Sequence, residues 1–368
     1  MLIAVKNLIN ERSRFLTSLF GVTFAVILIL VMSGIYIGTL KQVTTYIDHH
    51  DDKVWVVQPG VDQMFRSVSW LDATVEDKIS ALPEAGSVSS ILGVPSSFAH
   101  NGTQTAYYLI GYDPNNSDGG PWALADGRNI ENSDETVLDS VLAKKNNIQL
   151  GDRVTLIDEE FTVVGLSEET AAVGNFYAFI SADAAATQLR AGNRLSFVLA
   201  EPSSGVNKEE LRDAINRNID GVDALTAQEF SENSREIVRS MVGRPLITMI
   251  LIGVIVGLAL IALSVLSVAS EQMHEFGTLR ALGVRPKQLY FIVIIQALIL
   301  GIGGYVLGVG ATYLVQRLIQ GRVGDVVVAI PIDLVISMAI GSVVMAILSC
   351  LVPARRVASL DPAAAFRQ

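Results

Sequence analysis

Four residues whose side chains can bind a metal stand next to one another, and they read HHDD at positions 49–52. Imidazole nitrogens and carboxylate oxygens are common ligands of zinc and other transition metals, and imidazole also ligates haem iron. Adjacent residues rarely face one site, however, and in a turn all four side chains are solvated. The pattern therefore favours a solvated turn over metal or haem binding, and we assign no metal ligand from the sequence.

Signatures of catalysis and of nucleotide binding are missing from the sequence. Its four histidines and its one cysteine, Cys350, form no Ser/His/Asp or Cys/His arrangement and no H-E-x-x-H spacing. The phosphate loop G-x-x-x-x-G-K-[ST] is also absent. Residues 301–310 are rich in glycine, but they lack the lysine and lie in an apolar run, which favours helix packing. We predict no catalytic residue and no cofactor bound by this chain.

A short polar segment, residues 271–287, separates two long apolar runs and reads EQMHEFGTLRALGVRPK. Its apolar residues recur every third position, which predicts a helix with an apolar stripe on one face. Glycine is a common helix stop, and proline is favoured in the first turn of the next helix. The pattern fits an amphipathic connector or a docking helix equally well. The stripe consists of Met273, Phe276, Leu279 and Leu282, the stop is Gly283, and the next start is Pro286.

Four apolar runs, at 15–40, 246–270, 288–316 and 330–352, dominate the architecture. Each reaches the roughly 20 residues that cross a hydrocarbon core about 30 Å thick. A cleaved signal peptide is the alternative for the first run, but its apolar stretch exceeds the about 7–15 residues of such signals. The sequence therefore predicts an α-helical membrane protein with four transmembrane helices in a 1+3 arrangement.

The charged residues predict which side of the membrane each segment occupies. Basic residues flank the predicted spans on one side, before the first, between the second and third, and after the fourth, which makes that side cytoplasmic. Arg317 and Arg322 are a mild violation of this rule. Residues 41–245 hold 31 acidic and 16 basic residues, so the predicted outer domain is acidic. This asymmetry argues against nucleic-acid binding and predicts a multi-pass protein of the cell membrane with both termini cytoplasmic.

The predicted outer domain has the patterns of a mixed α/β fold. Helices are expected at 74–82, 137–150, 208–219 and 228–242, and strands at 52–60, 154–157, 161–165 and 195–200. The predicted domains in chain order are an interfacial amphipathic helix at 1–14, a first span at 15–40, an α/β domain at 41–245, a second span at 246–270, a cytoplasmic loop at 271–287, a third span at 288–316, an outer loop at 317–329, a fourth span at 330–352 and a cytoplasmic tail at 353–368.

Several residues inside the spans are candidates for packing or for contact with a substrate. Two pairs of glycines at a spacing of four predict close helix approach, of the first span to the second or across a dimer. Gln296 is a polar group in the third span that needs a partner, most simply on another helix. The glycine pairs are Gly34 with Gly38 and Gly253 with Gly257, and the candidate lining of a substrate pocket is Met32, Tyr36 and Asp333.

The chain resembles the FtsX/MacB-type permeases of ABC transporters in several motifs that occur in the family's order. EFGTLRALG at 275–283 is similar to the family pattern E-[IF]-G-[IT]-x-[RK]-A-[IL]-G. LAKKNNIQLGDRV at 142–154 and EFTVVG at 160–165 are similar to stretches of the family's outer domain, and DPAAAFR at 361–367 is similar to its closing motif. With the 1+3 order of spans, the resemblance covers nearly the whole chain and is nearest to short four-span members, including DevC-like and haem-exporting permeases.

The resemblance implies a mechanism called mechanotransmission. Two copies of the permease pair, each docks one cytoplasmic ATPase that binds ATP and Mg²⁺, and ATP-driven motion passes to the outer domains. It implies export, or extraction from the outer leaflet, of a hydrophobic or amphiphilic substrate. The alternative is a signalling module that regulates an envelope partner and moves no solute; membrane lipid and an envelope or membrane-fusion protein are further partners. The docking residues that it implies are Met273, His274, Glu275, Phe276, Gly277, Thr278, Leu279, Arg280 and Gly283.

Overall fold

The computed structural model describes residues 12–64, 68–100, 103–116, 118–170, 176–271, 276–278, 284–322 and 328–358. These residues divide into two compact units. The helical unit contains the described residues up to Gly38, from Val242 to Arg322 and from Val328 onward, and the α/β unit contains Thr39–Met241. The predicted interfacial helix at 1–14 lies outside the described residues except for 12–14, and the tail beyond 358 also lies outside them.

The helices of the chain are α1 (Arg12–Gln42), α2 (Thr45–His49), α3 (Thr74–Ser80), α4 (Ser140–Asn146), α5 (Ala182–Gln188), α6 (Lys208–Asn218), α7 (Ala227–Val238), α8 (Arg244–Glu271), α9 (Pro286–Arg322) and α10 (Ile332–Ala358), with a π-helical turn at Arg239–Gly243. The strands are β1 (Val54–Val57), β2 (Leu71–Asp72), β3 (Ala85–His100), β4 (Thr103–Tyr112), β5 (Leu124–Gly127), β6 (Glu135–Asp139), β7 (Arg153–Leu156), β8 (Glu159–Ser167), β9 (Phe176–Ser181), β10 (Arg194–Leu195), β11 (Phe197–Pro202) and β12 (Asp223–Thr226).

The α/β unit is built on a ten-stranded mixed sheet with the order β12-β1-β11-β3-β4-β9-β6-β8-β5, and β7 also pairs with β8. The pairs β4 with β9 and β6 with β8 are parallel, and the other pairs of this sheet are antiparallel. β3 and β4 form one long hairpin in the middle of the order. β1, β6 and β9 are buried along their whole length, and β1 and β9 accordingly consist almost wholly of apolar residues.

The two faces of the sheet carry different cores. One cluster is rich in aromatic rings, with Tyr46, Trp55, Tyr108, Tyr177 and Phe230 among its members. Aliphatic clusters lie under α4, α5 and α6. An ion pair also holds the unit together, because Glu135, which is nearly buried, accepts two hydrogen bonds from the Arg128 guanidinium at 2.6 and 2.7 Å. That pairing holds the pKa of Glu135 well below its usual range.

The segment 137–150 differs from its prediction as a single helix. Residues 135–139 form strand β6, and the helix begins only at Ser140, because the Asp139 carboxylate accepts hydrogen bonds from the backbone N–H groups of Val141 and Leu142 and so caps α4. Gly151 then takes a positive φ of 88°, and the Asp152 carboxylate accepts from Gln149 N at 2.7 Å. This turn starts the β7–β8 hairpin, whose prediction is confirmed.

The four predicted spans correspond to α1, α8, α9 and α10, which are long and apolar enough to cross a membrane. All four helices run past at least one predicted bound, and the largest extensions are at the ends of α9, at Arg322, and of α10, at Ala358. Large apolar side chains on all four helices are exposed, as expected of surfaces that face lipid. This unit and the mixed α/β fold of the other unit give the predicted fold class.

Glycines set the packing of the helical unit. A Cβ added at Gly253 would lie 2.9 Å from Ile29 of α1, and one at Gly257 would lie 2.7 Å from Met345 of α10 and 3.4 Å from Ala25 of α1. α8 therefore meets α1 within one chain at both glycines. Gly34 instead faces the residues before α10, because its carbonyl accepts from Ala329 N at 3.0 Å. The atoms nearest to a Cβ at Gly34 belong to Val328, Ala329 and Ile330, and packing of Gly34 across a dimer stays a prediction.

Candidate coupling site

The described part of the segment between α8 and α9 is a short helical stretch, residues 276–278, followed by the start of α9. Residues 272–275 and 279–283, which include Met273, His274, Glu275, Leu279, Arg280 and Gly283, lie outside the described residues. Phe276 and Gly277 are buried, whereas Thr278 is exposed. The helical stretch therefore has one face on the protein and one face directed to solvent.

Phe276 packs into the chain's own core. Its side chain is 1% exposed and belongs to an apolar cluster with Val265 of α8, Leu289 of α9 and Ala354 of α10. The expectation that the Phe276 ring fills a groove on a partner is therefore wrong, because the ring is not accessible. It packs the segment against residues of three membrane helices instead.

The start of α9 is fixed locally by its own sequence. Pro286 is the first helical residue, as predicted, where its lack of an N–H group costs nothing. Gln288 accepts a hydrogen bond from Arg285 N at 3.1 Å through Oε1, and its own N–H donates to Arg285 O at 2.8 Å. Arg285 and Lys287 are exposed. The exposed residues described at the start of α9 therefore include two basic side chains.

The three candidate pocket residues lie on α1 and α10, and their lining of one pocket stays a prediction. Met32 and Tyr36 are half-buried on α1, and the Tyr36 ring lies 3.2 Å from the position a Cβ would take at Gly243. Asp333 is exposed in the first turn of α10, where the helix dipole favours a carboxylate. A groove of about 510 Å³ lies elsewhere on the helical unit, and it is lined by Leu16, Thr17, Leu19, Phe20, Thr23 and Leu307.

The two adjacent histidines point to different surroundings. The His50 ring is buried between Tyr46 O and Gly119 N, at 2.9 and 3.4 Å. The His49 ring is exposed and stacks on Trp122, with ring centroids 4.4 Å apart. Among the described residues, no three His, Cys, Asp or Glu side chains are grouped to hold a metal ion. The two rings therefore serve packing and hydrogen bonding in this structure.

A polar cluster that sequence reasoning missed joins α2 to α7 within the α/β unit. The Asp48 carboxylate accepts from Thr44 Oγ1 and Ser231 Oγ, both at 2.6 Å, and from Arg235 at 2.8 Å. Arg235 also donates to Thr44 Oγ1 at 3.0 Å. Ser231 and Arg235 lie 183 and 187 positions from Asp48 in sequence, so no local pattern could have shown this cluster. It fixes α2, the helix that follows α1, against α7, which precedes α8 in the chain.

Two family models match the chain, one to each part of this architecture. The MacB-like periplasmic core domain matches residues 15–218, which is more than half of the chain. The FtsX-like permease C-terminal domain matches residues 247–362 and so includes the segment between α8 and α9. The chain belongs to the FtsX/MacB-like family of ABC transporter permeases. The first match covers most of α1 and most of the α/β unit, and the second covers most of α8 together with α9 and α10. The two matches thus follow the 1+3 order of the membrane helices.

The chain is also similar to individual proteins. An uncharacterized ABC transporter permease of Mycobacterium tuberculosis, strain CDC 1551, is 22% identical over 357 residues, which are 95% of this chain and 92% of the relative, and the H37Rv strain has an equally similar one. Among solved structures, the periplasmic region of MacB from Actinobacillus actinomycetemcomitans matches with a TM-score of 0.39 and 14% identity, over 49% of this chain and 91% of that one. The extracellular domain of YknZ from Gram-positive bacteria matches with a TM-score of 0.37 and 14% identity, over 47% and 99%.

Proposed function

We propose that this permease is the membrane subunit of an ABC exporter, in which a separate ATPase docks on segment 271–287 and drives the export or outer-leaflet extraction of a hydrophobic or amphiphilic substrate. The observation that carries the proposal is the two-sided character of this segment. Phe276 anchors it to α8, α9 and α10, while Thr278, Arg285 and Lys287 lie at the surface. A partner bound to the exposed face would move three membrane helices together.

The given sequence has no phosphate loop, which is consistent with an ATPase that is a separate chain. In this proposal ATP and Mg²⁺ are bound by two copies of an ATPase, and two copies of the permease form the membrane core. The exposed apolar side chains of α8, among them Ile252, Ile255 and Leu263, support lateral contact with lipid or with a second copy. The basic residues near the spans support an orientation with segment 271–287 and both termini in the cytoplasm.

Docking is tested by co-purification of the ATPase that is encoded next to the permease gene with tagged variants of the permease. We expect Thr278→Trp and Arg285→Glu each to lower the amount of bound ATPase about tenfold, because they alter the exposed face of the segment. The melting temperature of the permease itself should stay unchanged.

Phe276→Asp is the matched comparison for this test. It should lower the melting temperature of the permease alone, because it buries an unpaired charge in the cluster around Phe276. If both exposed-face variants retain full ATPase binding, the segment is not the docking site, and the proposal fails at that point.

A further inference from the structure

The groove between α1 and α9 presents an apolar surface on the outside of the helical unit. Its volume is about 510 Å³, and its lining comes from two turns of α1 and one residue of α9. Leucine and phenylalanine side chains form most of the wall, and Phe20 is 73% exposed. The hydroxyl oxygen of Thr23 is buried, so it adds no polar surface to the groove. The groove is therefore suited to a hydrocarbon chain.

The space in the groove is left by a glycine of α9. Gly303 precedes Leu307 by one helical turn, and among the described residues a Cβ added to it would meet only Leu19 Cδ1, at 3.2 Å. The next residue packs tightly instead, because a Cβ at Gly304 would lie 2.4 Å from Val22 Cγ1. The two helices are thus in close contact beside the groove, while the position of Gly303 leaves room for a ligand.

The groove begins where α1 enters the membrane. The apolar span of this helix covers Phe15–Gln42, so Leu16 lies in the first turn of the span. Thr23 follows seven residues later, which is about 10 Å along a helix that rises 1.5 Å per residue. One leaflet contributes about half of a hydrocarbon core of about 30 Å. The groove therefore runs beside the acyl chains of a single leaflet, starting at its headgroup side.

Positive charge prevails at the same end of α1. Arg12 comes four positions before Leu16 and seven before Leu19, and the helical period puts residues at these spacings on one face. Arg12 also precedes the apolar span, at the level of the lipid headgroups. A basic residue at a membrane surface favours anionic lipid about fivefold. Ahead of Leu16 the sequence contains one acidic residue and three basic ones, Glu11, Lys6, Arg12 and Arg14.

We propose that the groove between α1 and α9 binds an acyl chain of an anionic phospholipid whose phosphate pairs with Arg12. The apolar wall accounts for the chain, and the positive charge where the span begins accounts for the headgroup. A second copy of the permease is a poorer match, because it inserts with the same orientation and brings basic segments to the same membrane surface. The inference goes beyond the proposed export function, since it requires neither the ATPase nor a transported substrate.

The first test places a fluorescent reporter in the groove of the full chain in lipid nanodiscs. All three native tryptophans lie in the α/β unit, so Phe20→Trp adds a reporter at the membrane. We expect phosphatidylglycerol with brominated acyl chains to quench this reporter at about one fifth of the mole fraction that brominated phosphatidylcholine requires. Ile340→Trp, at an exposed position of α10, is the matched control and should be quenched equally by the two lipids.

The headgroup contact is tested in the same chain. Arg12→Gln, added to Phe20→Trp, should abolish the preference for phosphatidylglycerol, whereas Lys41→Gln in the last turn of α1 should leave it intact. Equal quenching of the Phe20→Trp reporter by both lipids would show only the ordinary lipid annulus. Quenching by neither would show that protein covers the groove. Each of these two results overturns the proposal, and so does a preference that survives Arg12→Gln.

The second test fills the groove and measures the lipid that stays bound. Gly303→Leu puts a side chain into the space beside Leu307, so native mass spectrometry of the permease from phosphatidylglycerol nanodiscs should show loss of the retained phospholipid. Gly310→Leu is the control on the same helix, because its side chain enters open space, and it should retain as much as the original chain. Equal retention by the two variants would place the bound lipid elsewhere and overturn the proposal.

Discussion

At the scale of single residues, the buried His50 ring connects helix α2 to the backbone of Gly119 within the α/β unit. Its Nδ1–H donates to Tyr46 O, its Nε2 accepts from Gly119 N, and the Tyr46 hydroxyl donates to Gly119 O at 2.6 Å. Next to these hydrogen bonds, Lys53 Nζ donates to the carboxylate of Asp118 at 2.8 Å. The neutral ring satisfies both of its contacts, whereas a protonated ring would direct an N–H group at the N–H group of Gly119. Burial accordingly lowers the pKa of His50, and the hydrogen bond to Tyr46 partly offsets this.

We expect His50 to make the stability of the α/β unit depend on pH. In the unfolded chain the ring takes up a proton near its ordinary pKa of about 6.5, whereas the folded unit disfavours that proton. Stability is therefore complete above this pH and falls as the pH decreases from about 6.5 towards the lowered pKa of the folded state. Of the groups that face the ring, the carboxylates of Asp52 and Asp118 oppose the lowering and His49 adds to it.

The measurement is the melting temperature of the full chain between about pH 7.5 and about pH 5.5. His50→Gln should flatten the decrease that the original chain shows over this interval. His49→Gln should change it less, because the His49 ring is exposed. An unchanged slope in the His50 variant would mean that another group titrates in this window.

At the scale of secondary-structure elements, the glycines of α9 decide which of its faces touches α1. A Cβ at Gly304 would lie 2.4 Å from Val22 Cγ1, and one at Gly308 would lie 2.5 Å from Val26 Cγ1. A Cβ at Gly310 of the same helix would have no neighbour within 4 Å. The glycine-rich run at 301–310, for which helix packing was predicted, therefore contains glycines that contact α1 and at least one, Gly310, that faces open space.

This difference gives a controlled test of the packing. Gly304→Leu should destabilise the helical unit by about 1–3 kcal/mol, because the side chain would displace Val22 and separate α9 from α1. Gly310→Leu should change stability little, since its side chain enters open space. Melting of the two variants in the same lipid nanodiscs compares them, and equal effects would mean that α9 does not contact α1 through Gly304.

At the scale of the whole molecule, the question is whether the permease exports a substrate or regulates an envelope partner. Both proposals use the same membrane helices and outer domain, so the distinction has to come from the activity of the complex. If the permease exports a hydrophobic or amphiphilic substrate, lipophilic ligands should raise ATP turnover of the reconstituted complex several-fold. A complex stimulated only by a soluble envelope protein would instead support the regulatory role and contradict export.

A structural feature could be predicted from the sequence when its signal lay in neighbouring residues. The four spans follow from length and apolarity, and the β7–β8 hairpin and the start of α9 at Pro286 follow from turn and proline rules. The predicted helix at 137–150 was wrong over its first residues, because a run buried on both faces of a sheet has no strand alternation to read. The hydrogen bonds of Asp48 to Ser231 and Arg235 could not be predicted, because these residues lie 183 and 187 positions away in sequence.

The sequence by itself determined the family, the number and order of the membrane helices and the absence of a phosphate loop, because each is written in contiguous residues or in an ordered set of motifs. Only the tertiary structure decided which side chains face inward. Periodicity placed Phe276 on an apolar stripe, but it could not tell a stripe that docks a partner from one that packs on the chain's own helices. Both uses bury the same apolar surface, and only the neighbours of Phe276 in the fold distinguish them.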